Sequence, residues 1–214
     1  MPFEASSSCI KLLAWNCRGL TRAFVVHSLR GKIQKHSPKI LFLSETKTHS
    51  ADAIVILNSL GYFLMLHVSP IGSKGGLLLA SCQGMDLECF LSTINTINAW
   101  YYFDPPNKPW LLTCIYGPPE KINKLIFLDS LLNERKDYYG PWLCIGDLNM
   151  ISSQSEKYGG RPFACLSNDP FCSFVDSFGM IDLGFSGNPF TWSNKRQDHH
   201  LIKERLDRGI ANSQ

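Results

Sequence analysis

Four apolar runs in this sequence end abruptly in a residue that can ligate a metal or handle a proton. Leu12 to Trp15 ends in Asn16, Ile40 to Ser44 in Glu45, Leu111 to Ile115 in Tyr116, and Trp142 to Gly146 in Asp147, with Asn149 two residues further on. Strand ends on a rigid sheet suit chemistry, because the scaffold fixes the side chains while the rim stays open to substrate. If these strand ends lie side by side, the groups converge on one rim. Asn16, Glu45, Asp147 and Asn149 offer only carboxylate and amide donors. The metal they suit is therefore hard, small and partly hydrated, as Mg²⁺ is, and soft metals are disfavoured. Such an ion polarises a phosphoryl oxygen and steadies a leaving alkoxide while a second carboxylate orients or deprotonates water, so phosphodiester hydrolysis is the natural reaction class.

Taken singly, most of these residues also have plainer readings. Asn16 with Gly19 reads equally as a turn after a strand. Glu45 before Thr46, Lys47 and Thr48 reads as the opening of a solvated helix or loop, and Tyr116 before Gly117, Pro118 and Pro119 as a turn aromatic. Asp147 is the sharpest, since a carboxylate closing the run WLCIG requires partners.

The elements that must hold these residues follow from periodicity. Strand candidates are Ile10 to Trp15, Lys39 to Leu43, Phe63 to Val68, Gly76 to Ala80, Leu87 to Leu91, Trp100 to Phe103, Trp110 to Ile115, Trp142 to Ile145 and Phe190 to Trp192. Helical spacing runs through Ala23 to His36, Ala51 to Ser59, Ile122 to Arg135 and Pro170 to Phe178. The stretch from Phe63 to Ile115 has strands, Gly and Pro turns and no helix, which suits antiparallel hairpins. Mixed sheets covered by helices are expected, in one domain over residues 9–214 behind a disordered leader, 1–8, with no repeat and no dividing linker.

Composition narrows the class. The chain has 214 residues, 44% apolar, with 18 acidic and 21 Lys or Arg side chains for a charge of +3, which fits a globular fold and excludes collagen, coiled coil and disorder. Its apolar runs fall far short of the roughly 20 residues that cross a bilayer, and MPFEASSS has neither the basic nor the apolar region of a secretory signal. An intracellular protein without a membrane partner is expected. Eight cysteines, several inside apolar runs, read as free thiols in a reducing compartment, and no CxxC pair or Cys/His cluster has zinc spacing. The modest positive charge permits an anionic partner without identifying one.

In order, WNCRG at Trp15 to Gly19, SETK at Ser44 to Lys47, YGPP at Tyr116 to Pro119, GDLN at Gly146 to Asn149, FTW at Phe190 to Trp192 and RLDR at Arg205 to Arg208 resemble the endonuclease/exonuclease/phosphatase superfamily. Within it, the sequence looks most like the apurinic/apyrimidinic-endonuclease-like domain of plant LINE-type non-LTR retrotransposons. The resemblance implies an α/β (α+β) fold, a four-layer αββα sandwich of two mixed β-sheets flanked by helices. It also implies a Mg²⁺ site, with Mn²⁺ as a possible substitute. Glu45 would be the principal metal ligand, with Asn16 beside it contacting metal-bound water or phosphate. Asp147 would orient and activate the attacking water, Asn149 would hold it or the scissile phosphate, and Tyr116 would donate to a phosphate oxygen. Asp207 matches the acidic residue that braces a catalytic histidine in the family.

That histidine belongs to a Ser-Asp-His motif opening a further strand some tens of residues after the RLD-type motif, whereas this sequence ends at Gln214. The expectation is a domain that lacks its C-terminal strand and is weak or inactive as a catalyst. His199 and His200 precede Asp207 in the polar stretch QDHH and do not substitute by position. Arg18, Lys157 and Arg161 are expected DNA contacts, the last two in SEKYGGRP with Tyr158, where Gly159 and Gly160 supply flexibility, although a solvated loop explains that segment equally well. Lys195, Arg196, Lys203, Arg205 and Arg208 add a basic C-terminal stretch diluted by Asp198, Glu204 and Asp207.

Three functions compete. The first is a Mg²⁺-dependent DNA endonuclease that nicks one strand, acting on DNA in the nucleus as a monomer without a protein partner. The second is a non-enzymatic retroelement remnant, and the third a phosphatase acting on soluble or lipid phosphates.

Overall fold

The computed structural model describes residues 10–102, 108–163 and 169–213. The proposed leader, Cys9, Cys165 and Phe103 at the end of an expected strand lie outside the described residues. The chain forms two compact units, Met1–Met85 and Asp86–Gln214. No linker composition marks the boundary, which is why the sequence reads as undivided.

The first unit is a four-stranded mixed sheet with two helices. Its elements are β1 (Leu12–Asn16), α1 (Ala23–His36), β2 (Ile40–Ser44), α2 (Ser50–Ser59), β3 (Phe63–Val68) and β4 (Leu77–Ser81), and the sheet order is β1-β2-β4-β3. Only β1 and β2 are parallel, joined by α1 as the crossover helix. Strands β2 and β4 carry unbroken apolar runs because both of their faces are buried. Helix α1 buries Val25 and Leu29, four residues apart, and α2 buries Ala53 and Leu57 at the same spacing. These residues pack with Leu41, Leu43, Leu78 and Ala80 into one core. Helix α1 stops at Ser37, whose left-handed backbone lets its N–H return to Ile33 O at 2.8 Å, and Pro38 follows.

The second unit is built on a six-stranded mixed sheet. Its elements are β5 (Leu87–Ser92), β6 (Thr96–Tyr101), β7 (Trp110–Tyr116), α3 (Lys121–Arg135), β8 (Trp142–Asp147), β9 (Lys157–Tyr158), α4 (Pro170–Ser177), β10 (Met180–Asp182), β11 (Trp192–Ser193), β12 (Lys203–Glu204) and β13 (Asp207–Asn212). The large sheet has the order β10-β13-β8-β7-β6-β5, and β11-β12-β9 form a small antiparallel one. Within the large sheet only β7 and β8 run parallel, joined by α3. The hairpins expected between Phe63 and Ile115 are present as β3-β4 and β5-β6-β7. Strands β9, β10, β12 and β13 were not expected, the first three being too short to show alternation.

Helix α3 turns Leu128, Leu131 and Arg135 inward. Helix α4 is short but well started: Asp169 accepts from Phe171 N and Cys172 N, and Pro170 occupies the first turn. Its Phe174 and the following Phe178 pack edge-on against Trp142, with centroids 5.8 and 4.9 Å away. Behind them runs a buried polar chain. Trp142 Nε1 donates to Thr113 Oγ1 at 2.9 Å, and Thr113 donates to Asn98 Oδ1 at 2.8 Å, so β8, β7 and β6 are linked through side chains as well as backbone.

Six described cysteines are free, and the apolar reading holds for the buried ones; burial pushes the Cys89 thiol up to about 11 and raises Cys114 and Cys144 as well. No described helix is long and apolar enough to cross a membrane. Phe174 is 1% exposed, so Phe174→Ala is expected to cost about 3–5 kcal/mol of stability, measured by urea unfolding. A loss below about 1 kcal/mol would mean that α4 contributes little to the core.

Candidate active site

In the first unit, parallel pairing of β1 with β2 sets Asn16 opposite Ser44, so the residues that end the two strands are neighbours. Asn16 Nδ2 donates to Glu45 Oε1 at 3.2 Å, and Lys47 Nζ lies 3.3 Å from Glu45 Oε2. Glu45 and Lys47 both adopt φ of 51°, and the exposed Arg18 adopts 53°. This left-handed region costs a side-chain-bearing residue about 1 kcal/mol or more. The surroundings impose it: Gly19 N donates to Glu45 O, Leu20 N to Thr46 O, Thr46 N to Gly76 O and Lys47 N to Gly75 O, all between 2.8 and 3.2 Å. Gly76 is required there, since at φ +86° a Cβ would sit 2.5 Å from Thr46 Oγ1. Beside this loop, burial pushes the Cys17 thiol up to about 11, which keeps it protonated and unsuited to act as nucleophile or ligand.

One carboxylate with an adjacent amide, already attracting an ammonium, is a donor set for a hard cation. Among the described residues no group of three or more His, Cys, Asp or Glu could hold a metal. A zinc-type cage is therefore not offered. An ion that keeps several waters and takes one or two carboxylates, as Mg²⁺ does, fits Glu45 and Asn16.

In the second unit, register brings three expected residues together. Tyr116 pairs with Asp147 across β7-β8, and Asp207 pairs with Asp147 across β13-β8, so all three stand at one end of adjacent strands. Asp147 is buried, and its Oδ1 accepts from Asn149 N at 3.1 Å. Asn149 adopts φ of 55° and donates through Nδ2 to Gly117 O at 2.6 Å. Gly117 N in turn donates to Asp147 O at 2.8 Å, and a Cβ on Gly117 would collide with Leu148 O. YGPP and GDLN are thus one interlocked loop pair.

Two supporting residues had no assigned role in the sequence. Asn95 donates through Nδ2 to Tyr116 O at 2.7 Å and accepts from Tyr116 N at 2.8 Å. Thr191 Oγ1 accepts from both Leu206 N and Asp207 N at 3.0 Å, which fixes the residue before β13. Thr191 lies inside FTW, so its motif was visible although its role was not.

The basic C-terminal stretch, too diluted by acidic residues to read as a clear DNA-binding patch, is partly drawn into the fold. Arg205 and Arg208 are buried, 7% and 6% exposed, in an ion-pair network with Glu156 and Asp182. Arg208 Nη2 also donates to Met150 O at 3.0 Å and to Arg205 O at 2.7 Å. Lys157 does not reach out as a free charge, because its Nζ lies 2.6 Å from Glu204 Oε1. Gly159 is not a flexible joint either: it makes a left-handed turn packed so closely on Leu201 O that a Cβ would collide. Tyr158 and Arg161 are exposed, as are His199 and His200, whose rings lie 3.9 Å apart and tilted by 43° in a short 3₁₀ turn.

A model of the Endonuclease/Exonuclease/phosphatase family matches residues 13–208, a span that takes in both groups of site residues. The chain belongs to this family. No curated protein sequence matches it. Among solved structures it is similar to an AP endonuclease from Archaeoglobus fulgidus, with 16% identity, a TM-score of 0.67 and coverage of 95% of this chain and 86% of that one. An AP endonuclease from Leishmania major matches at 16% identity and TM-score 0.67, covering 95% and 79%. The endonuclease domain of TRAS1, a telomere-specific non-LTR retrotransposon, matches at 14% identity and TM-score 0.69, covering 95% and 85%. These likenesses establish the mixed α/β fold, with two large mixed sheets flanked by helices, that AP endonucleases share.

Two outcomes follow from the supports of this family member's site. Gly76→Ala should displace the loop carrying Glu45 and lower stability by about 1–3 kcal/mol through backbone strain, read as a lower midpoint in urea. For Glu156, burial pushes the carboxyl up, but hydrogen bonds from Arg208 and Ser152 and the Arg208 charge outweigh it, so its folded pKa lies below the ordinary 4.5. Its contribution is thus fully present above the unfolded value and is lost as pH falls through the folded one. Glu156→Gln should cost about 3–5 kcal/mol near pH 7, because it leaves two buried arginines with Asp182 as their one remaining carboxylate partner. The penalty should shrink below about pH 4, and equal destabilisation at pH 7 and pH 3 would exclude an ionic role.

Proposed function

We propose that this chain is a Mg²⁺-dependent endonuclease domain of the plant LINE retrotransposon type, which nicks one strand of DNA in the nucleus. The observation that carries the reading is the register placing Tyr116, Asp147 and Asp207 at one end of three adjacent strands, with Asn149 locked beside them. A buried carboxylate, Asp147, aligned with the half-buried Asp207, a phenol and an amide, suits in-line attack of water on a phosphodiester.

In this reading Glu45 is the metal ligand, with Asn16 orienting its carboxylate. When bound, Mg²⁺, or Mn²⁺ in its place, supplies charge to polarise a phosphoryl oxygen and steady the leaving alkoxide. Asp147 takes the proton of the attacking water; its orientation is held by Asn149 N. The Tyr116 hydroxyl donates to a non-bridging oxygen as negative charge grows, and the Asn149 side chain positions the phosphate. Asp207 lends negative charge beside Asp147, and Arg18 and Arg161, both exposed, contact the DNA backbone.

The test is nicking of supercoiled plasmid by the purified chain in Mg²⁺ and in EDTA. Glu45→Ala and Asp147→Asn are each expected to lower the Mg²⁺-dependent rate by at least about 10²-fold while the folded state persists by circular dichroism. Activity unchanged by both substitutions would remove the site. Release of phosphate from small phosphorylated substrates with no DNA cleavage would replace the nuclease reading by a phosphatase one. A chain lacking a cooperative thermal transition would favour a non-enzymatic remnant.

A further inference from the structure

Next to Asn149 lies a cavity of about 200 Å³ that no role assigned so far uses. One wall is the start of α3, where Lys121 and Lys124, three residues apart on one helical face, both line the cavity. Its floor is apolar: Leu128, Phe171 and Leu206 are all buried. Two carboxylates, Asp169 and Glu204, are also in the lining, but both are engaged. Asp169 accepts from two backbone N–H groups of α4, and Glu204 pairs with Lys157 at 2.6 Å. Neither Lys121 nor Lys124 has a carboxylate within ion-pair distance among the described residues. Backbone N–H groups leave the charge of Asp169 in place, so with Glu204 matched by Lys157 the lining sets two ammonium groups against one carboxylate, and the balance is positive.

We propose that the cavity is a phosphate-binding subsite adjoining Asn149, with Lys124 as its principal cation and Lys121 as the second. It rests on the reading of Asn149 as part of a phosphodiesterase site, and it names where a second phosphate of the same substrate sits. Lys124 is half-buried, whereas Lys121 is exposed. Burial lowers the Lys124 pKa, although Glu204, Asp147, Glu120 and Asp169 pull it back, so an anion in the cavity relieves a cost that the free protein bears. The apolar floor limits water and strengthens that attraction. The volume is below the roughly 300–1,000 Å³ of pockets that enclose a drug-sized ligand. It suits a phosphate with its attached sugar rather than a whole nucleotide. Lysine is a point charge on a flexible stem, so the contact recognises phosphate and not base sequence.

The experiment uses the full chain in EDTA, so that nothing is cut, with a short labelled DNA duplex and inorganic phosphate as separate probes. Lys124→Met is expected to weaken duplex binding about tenfold and to reduce the slope of log K against log salt by about one. Lys124→Arg should restore both, and Lys35→Met, an exposed lysine of α1, should leave both unchanged. Loss for the duplex alone assigns the subsite to a nucleic-acid phosphate; loss for inorganic phosphate as well assigns it to phosphate esters in general. No binding by the wild-type chain, or a Lys124→Met chain with unaltered affinity and slope and an unaltered thermal midpoint, overturns the subsite. Plasmid nicking on the same preparations separates the two readings. A Lys124 effect without nicking sinks the endonuclease and keeps the subsite, and nicking without a Lys124 effect does the reverse.

Discussion

The second unit depends on one buried arrangement of charge, the network of Arg205 and Arg208 with Glu156 and Asp182. Burying ionised groups is costly unless the geometry is good and counter-charges are close; Arg205, Arg208 and Glu156 are buried, and Asp182 closes the network from its exposed side. Here the guanidinium of Arg208 meets both oxygens of Glu156 at 2.9 and 2.8 Å, one oxygen of Asp182 at 3.2 Å, and two backbone carbonyls. Charges balance at two against two. The network ties the 3₁₀ turn at Gln154–Glu156 to strand β10 and to the start of β13, two strands that pair in the large sheet. Asp207 lies between the two arginines in sequence, and Met150, whose carbonyl Arg208 holds, follows Asn149. Two candidate catalytic residues are thus positioned from behind by groups that take no part in the chemistry.

Much of the fold is legible because its signals are local. The helices at Ala23 and Pro170 start where they were expected, since apolar spacing and the Asp169-Pro170 start signal lie within a few residues. The polar residues ending buried strands are legible for the same reason: an apolar run closed by Asp or Glu is a local contradiction. Which of these residues become neighbours within a sheet is a matter of register, which a single sequence does not contain. The partners of charged residues were less legible. Arg205, Arg208 and Lys157 look like surface cations in any short window, yet their partners lie 49, 52 and 47 residues away. A buried ion pair between distant segments leaves no periodic trace, and the two-residue strands β9 and β12 are too short to leave one either.

The left-handed residues show a second layer hidden from sequence. Asparagine tolerates this conformation, so Asn149 at φ 55° is unremarkable alone, but Glu45 at φ 51° is not. A glutamate held there faces a persistent local cost, and it persists because backbone bonds from Gly19 and to Gly75 and Gly76 determine the loop. The glycines flanking these motifs serve that end. Gly76 admits the Thr46 side chain and Gly117 admits the Leu148 carbonyl. Their role is to let another segment approach closely, not to confer flexibility.

The same logic separates the cations of this protein into two kinds. Those with a carboxylate at ion-pair distance, such as Arg205, Arg208 and Lys157, are structural, because their charge is cancelled within the fold. Lys124 has apolar neighbours and a cavity in front of it, while the carboxylates in that lining are engaged elsewhere. Half-burying this ammonium is unfavourable, and the surrounding carboxylates Glu204, Asp147, Glu120 and Asp169 offset that cost only in part. The arrangement makes physical sense if the missing anion arrives with substrate. Reading each charged residue by whether its partner is inside the chain, and not by its sign or its density along the sequence, is what distinguishes scaffold from site here.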